Sequence, residues 1–198
     1  MDYLHTQRSL MHGDIKSANL LILGPFTNLK ICDFGVTVAV DGAGQALPDA
    51  LYIGTDAWSP PEVVHGEEVI TTKADVFALG LVVFEMLALH PPHIDKLGGD
   101  EDEFGGDSTF NDTYDSMEDE EDSSGDESFD DSAYRAALGT RPALPAHLRL
   151  DQAYSRTMEA FVVMTLEEPQ LRPAAKDVVA MMEAEPKAKT DDYMYNIN

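Results

Sequence analysis

Between Ala74 and Leu89 the chain reads ADVFALGLVVFEMLAL, apolar at nearly every position. Such a segment at helical length has no polar face to offer water, so a helix here has to be surrounded. Gly80 and Glu85 interrupt it, and it is too short and too mixed to span a bilayer. The remaining environment is the middle of a folded domain. A chain of 198 residues with 43% hydrophobic content is long enough to supply one.

The net charge of -24 is unevenly spread. From Gly98 to Asp131 there are sixteen acidic residues and no Lys or Arg, which leaves roughly -8 for the rest. That run is expected to be disordered, because it has little apolar surface to bury and its charges repel. The expected organisation is therefore a globular region over 1–97, an acidic insert over 98–131, a second globular region over 132–185 and a loose tail over 186–198. Ser116, Ser123, Ser124 and Ser128 each precede an acidic residue by three positions, a context suited to an acidophilic kinase. So negative a chain is not expected to bind nucleic acid or an anionic membrane. A lone Cys32 excludes an intramolecular disulfide, and the first twelve residues carry no long apolar run. A cytoplasmic or nuclear protein is expected.

Leu20–Leu23 and Leu29–Ile31, separated by Gly24-Pro25, read as two short strands and a turn. Helical spacing recurs over Ala153–Leu166, with Asp151 as a plausible N-cap, and over Ala174–Met182. The fold class expected is mainly α with a small β element.

The chemistry is concentrated in His12-Gly13-Asp14-Ile15-Lys16-Ser17-Ala18-Asn19-Leu20-Leu21, with Asp33-Phe34-Gly35 beginning fourteen residues after Asn19. Taken singly, Asp14 and Asn19 fit a polar turn. Further on stand Gly54-Thr55, Pro60-Pro61-Glu62, Asp75 to Gly80 and Leu171-Arg172-Pro173. In this order and spacing the set resembles the C-terminal, helical lobe of the eukaryotic protein kinase fold.

The resemblance implies a serine/threonine or dual-specificity kinase that transfers phosphoryl groups from ATP to protein substrates. It implies that Asp14 handles the proton of the substrate hydroxyl and that Lys16 neutralises charge on the transferring phosphate. Asn19 and Asp33 would hold Mg2+, a hard cation that takes oxygen ligands, and Leu21 would lie under the adenine. Thr55 would bond Lys16 and Asp14, Glu62 and Arg172 would form a buried ion pair, and Asp75 would hold the backbone of the catalytic loop. An exposed N-terminal helix charge is the plain alternative for Asp75. Trp58 is expected to pack beneath the activation segment. His5, His65, His90, His93 and His147 show no ligand spacing, so no metal site beyond magnesium is expected.

Finer matches narrow the resemblance. Lys30-Ile31-Cys32-Asp33, Tyr52-Ile53-Gly54-Thr55, Thr72-Lys73-Ala74-Asp75 and above all Ala133 to Pro142 resemble the PDZ-binding kinase family, in the mitogen-activated protein kinase kinase-like group. That family implies mitogen-activated kinases or mitotic proteins as substrates. Gly13 departs from the usual arginine of kinases, which implies changed activation-loop control, and Phe34 stands where this family carries a smaller residue. The ending Met194 to Asn198 lacks an acidic-valine PDZ ligand, so a PDZ partner is not expected. No G-x-G-x-x-G followed by a strand lysine occurs among the 198 residues, and eleven residues precede His12. The N-terminal lobe is therefore expected to be absent and the chain to be a truncated, poorly active form. Two alternatives compete with catalysis, a non-catalytic module that binds protein partners and a scaffold whose acidic insert binds a basic partner.

Overall fold

A computed structural model describes residues 1–25, 28–96, 131–146, 148 and 154–183. The acidic insert with its four serines, Asp151, His147 and the tail lie outside these residues, apart from Asp131 at the insert's far end. Among the described residues the fold is mainly helical with two small sheets.

The chain opens with a short helix α1 (Asp2–Gln7) and strand β1 (Leu10–Met11). The expected hairpin follows as β2 (Leu20–Leu23) and β3 (Asn28–Ile31), antiparallel, with Leu20 opposite Ile31 and Leu23 opposite Asn28. Strand β4 (Val38–Ala39) returns to pair with β1, Met11 opposite Val38. Two-residue strands carry no periodicity, so this second sheet was not legible in the sequence. A one-turn helix α2 (Pro61–Val64) precedes the long helix α3 (Lys73–Ala88). Beyond the insert come α4 (Ser132–Ala137), α5 (Ser155–Met164) and α6 (Ala175–Glu183). Helix α4 packs on the turn Ile94–Lys96, so the residues flanking 97–130 meet each other.

The physical reason for an all-round apolar α3 is that three clusters surround it. Ala74 joins Met11 of β1, Val38 of β4 and Val40 just beyond that strand. Val76 packs with Ala160, Met164 and Val178 from α5 and α6. Ala78 and Val82 meet Ile15 in the loop before β2, with Leu20, Ile31 and Trp58 at the edge. Gly80 permits the closest helix approach, since a Cβ there would lie 2.6 Å from Thr165 Cγ2 and 3.0 Å from Met164 Cβ. The burial ends with the helix, whose last turn exposes Met86 and then Leu89, the latter in the left-handed region. None of the described helices is long and apolar enough to cross a membrane.

Candidate functional site

The loop carrying Asp14 is hung from the first turn of α3. Asp75 is fully buried, and its carboxylate accepts from the backbone N–H of His12 at 2.7 Å and of Gly13 at 3.0 Å. It also bonds His5 Nε2 at 2.8 Å. The exposed alternative for Asp75 is thereby overturned, and His5, which had no visible partner in the sequence, joins the network. Gly13 has φ +83, and a Cβ there would sit 2.7 Å from the Val36 carbonyl oxygen. An arginine side chain is excluded from this backbone geometry, which accounts physically for the glycine.

Around Asp14 the expected side chains converge. Thr55 Oγ1 donates to Asp14 Oδ1 at 2.6 Å, and Lys16 Nζ donates to Thr55 Oγ1 at 2.8 Å. Lys16 Nζ lies 3.2 Å from Asp14 Oδ2. Asn19 Nδ2 donates to the Asp14 backbone carbonyl at 2.8 Å and to its Oδ2 at 3.0 Å. One carboxylate thus collects a hydroxyl, an ammonium and an amide from positions up to 41 residues apart.

The β2–β3 hairpin brings Asn19 and Asp33 to its open end, because Cys32 N–H donates to the Asn19 carbonyl at 3.0 Å. The Cys32 carbonyl in turn bonds His12 Nε2 at 3.0 Å, and the His12 and Phe34 rings meet edge-to-face at 5.2 Å. Asp33 is exposed with φ +59, and its Oδ1 accepts from Gly35 N–H at 3.2 Å. With the Asn19 amide nitrogen committed to Asp14, its carbonyl oxygen and the Asp33 carboxylate are the oxygens this end of the hairpin offers. Two protein oxygens fit magnesium, which keeps waters and phosphate oxygens for its other positions. Among the described residues no cluster of three or more His, Cys, Asp or Glu offers a metal site. Leu21, Ile22, Leu23 and Leu29 along the hairpin and Phe34 beyond it are all exposed, between 41% and 60%, and form an apolar surface.

Two supports lie behind the cluster. Glu62 and Arg172 are almost completely buried and form a two-pronged pair at 2.7 Å on each arm. Arg172 also donates to the carbonyls of Leu166, Glu167 and Lys73, and its guanidinium lies 4.8 Å from the Phe77 ring centre. Lys73 closes the ring by donating to the Arg172 carbonyl, and burial lowers its ammonium below the ordinary value. Trp58 is partly buried and donates from Nε1 to Glu85 at 2.9 Å. Sequence reasoning passed over Glu85 as a mere interruption of an apolar run. A single acid inside an apolar helix was the available signal, since a buried polar group requires partners. Burial raises the Glu85 carboxyl above its ordinary value, and bonds from Trp58 and Ser17 partly offset this. Burial, reinforced by Asp75, Asp14 and Glu62, raises the Tyr52 phenol well above its own.

The family described as "Protein kinase domain" matches residues 1–182. The chain belongs to the protein kinase family. This kinase chain is 44% identical over 186 residues to human lymphokine-activated killer T-cell-originated protein kinase, covering 93% of itself and 52% of that protein. It is 41% identical over 93 residues to serine/threonine-protein kinase pakF of Dictyostelium discoideum, which is 47% of this chain and 8% of the relative. It is 38% identical over 92 residues to mitogen-activated protein kinase kinase kinase 7 of Drosophila melanogaster, which is 46% of this chain and 13% of the relative. The kinase chain spans about half the length of the human relative and far less of the other two. The resemblance read from the motifs is upheld at the level of the family.

Proposed function

We propose that the described residues form the C-terminal, helical lobe of a serine/threonine-directed protein kinase and carry its phosphoryl-transfer site. The observation that carries this reading is the chain Lys16 Nζ to Thr55 Oγ1 to Asp14 Oδ1, at 2.8 and 2.6 Å. Asp14 accepts the proton of an incoming serine or threonine hydroxyl, and Asn19 and Thr55 hold its carboxylate in one orientation. Lys16 faces the transferring phosphoryl group and neutralises its developing charge. Asn19 and Asp33 would hold magnesium, which when bound neutralises phosphate oxygens and orients them. Leu21 would lie under the adenine. Protein substrates follow from the family, and mitogen-activated kinases or mitotic proteins are the substrates proposed, in a cytoplasmic or nuclear setting.

On this reading 1–97 and 132–185 make up one lobe, with 98–131 as an acidic insert and 186–198 as a tail. Within the 198 residues there is no glycine-rich phosphate loop with a following strand lysine, so slow turnover by this polypeptide alone belongs to the proposal. The exposed apolar surface at Leu21 to Leu29 favours a second reading, a lobe that binds protein partners without catalysis.

A sensitive phosphate-transfer assay with magnesium and ATP decides between them. Weak transfer to serine or threonine that disappears in Asp14→Asn and Asp33→Ala supports catalysis. Transfer that survives both substitutions overturns it. A wild-type chain that matches both variants in transfer and in magnesium-dependent nucleotide binding favours the partner-binding reading.

A further inference from the structure

Beyond its first turn, α3 carries one charged residue, Glu85. Its two carboxylate oxygens face different segments. Oε1 accepts from Ser17 Oγ at 2.8 Å, and Oε2 accepts from Trp58 Nε1 at 2.9 Å. Ser17 directly follows Lys16. Trp58 closes the turn that Thr55 opens, since Trp58 N–H donates to the Thr55 carbonyl at 2.9 Å. Ser59 Oγ donates to that same carbonyl at 3.1 Å. The two segments held by Glu85 are therefore the ones whose side chains, Lys16 and Thr55, must stand 2.8 Å apart.

The helix that carries the carboxylate is well fixed, because Val82 and Ala78, three and seven residues earlier, are buried against Ile15 with Trp58 at the edge. Both oxygens are engaged within the chain, so the geometry favours holding the site together over contacting a substrate. Glu85 is partly buried, and that burial raises its carboxyl despite two bonds that act to lower it.

We infer that Glu85 is a positioning residue: by holding Ser17 and Trp58 on one carboxylate, it sets the spacing of Lys16 and Thr55. The inference rests on the reading of Asp14, Lys16 and Thr55 as the phosphoryl-transfer site.

Amide hydrogen exchange on the full chain without nucleotide tests it. Two reporters are the Asn19 amide, bonded to the Lys16 carbonyl, and the Ser59 amide, bonded to the Asp56 carbonyl. Glu85→Ala is expected to speed exchange at both by about tenfold, the scale of one lost hydrogen bond to a charged group. Ser17→Ala should act on the Asn19 amide alone and Trp58→Phe on the Ser59 amide alone. Glu85→Gln should restore both, because its oxygen can accept from Trp58 while its amide donates to the Ser17 hydroxyl. The idea is overturned if Glu85→Ala leaves either reporter protected. It is also overturned if protection falls equally in α5 and α6 while Ser17→Ala and Trp58→Phe leave their own reporters unchanged. In transfer assays, Glu85→Ala should lower kcat about tenfold at constant protein-substrate KM. A raised KM at constant kcat would instead mark a substrate contact and refute positioning. Exchange needs no turnover, so failure of the bridge is distinguishable from failure of the catalytic reading, which the Asp14 and Asp33 variants decide.

Discussion

Replacing Arg172 by alanine is a severe change, because this buried side chain serves several partners at once. Glu62 is 1% exposed, and the side-chain bonds its carboxylate accepts come from Arg172. The substitution strands that carboxylate, empties the guanidinium's place over Phe77, and removes the donor shared by the Leu166, Glu167 and Lys73 carbonyls. Breaking a buried pair from one side costs about 3–5 kcal/mol, and the three carbonyls place Arg172→Ala at or above the top of that range. Glu62→Ala is the milder partner, near the bottom, because the stranded guanidinium keeps those three acceptors. A domain of this size has about 5–15 kcal/mol in total, so Arg172→Ala alone should remove from about a third to all of it. Urea unfolding of wild type, both single variants and the double variant measures these costs. The double variant should cost about 2–3 kcal/mol less than the sum of the singles, because it leaves no unpaired charge. An Arg172→Ala loss under about 1 kcal/mol, or additive single variants, would refute the claim that this pair fastens the later helices to α2.

Three further outcomes follow from named contacts. Gly80→Ala should cost about 1–3 kcal/mol in thermal or urea unfolding, since its methyl group would overlap Thr165 Cγ2 at 2.6 Å and crowd Met164 Cβ at 3.0 Å. Asp75→Asn turns one acceptor toward a backbone N–H into a donor, and should destabilise by about 1–3 kcal/mol and speed amide exchange at His12 or Gly13. Burial raises the Glu85 carboxyl above its ordinary 4.5, so the native state holds that proton more tightly than the unfolded chain. Its stabilising contribution is complete below 4.5 and declines as pH rises through the raised native value. Wild type minus Glu85→Gln, compared by urea unfolding from about pH 4 upward, should therefore fall with pH, and a rising difference would contradict the assignment.

Local pattern made several elements legible before any coordinates. The β2–β3 hairpin and the cores of α3, α5 and α6 followed from apolar spacing, with ends moved by a few residues at most. Pattern was silent on the β1–β4 pair, because two residues are too few for a period. It was equally silent on His5, whose only signal was its identity. Asp75 could be read from sequence as a surface helix charge, yet α1 and the loop at His12 close over it and leave it buried.

What the residues by themselves determined was the identity and order of the groups proposed to react. Asp14, Lys16, Asn19 and Asp33 stand in an order and spacing that resemble a kinase site, and the match to the protein kinase family agrees with that resemblance. An apolar α3 was likewise certain to be central, since water would not solvate it. The resemblance implied that Thr55 meets Asp14 and that Arg172 meets Glu62. The tertiary structure supplies those distances and adds the Glu85 bridge that no motif announced. Thr55 reaches Asp14 across 41 residues, Arg172 reaches Glu62 across 110, and Glu85 joins Ser17 to Trp58. The reason is physical. Side-chain chemistry is local to a residue, whereas a distance of 2.6–2.9 Å between remote residues is set by the packing of every element between them.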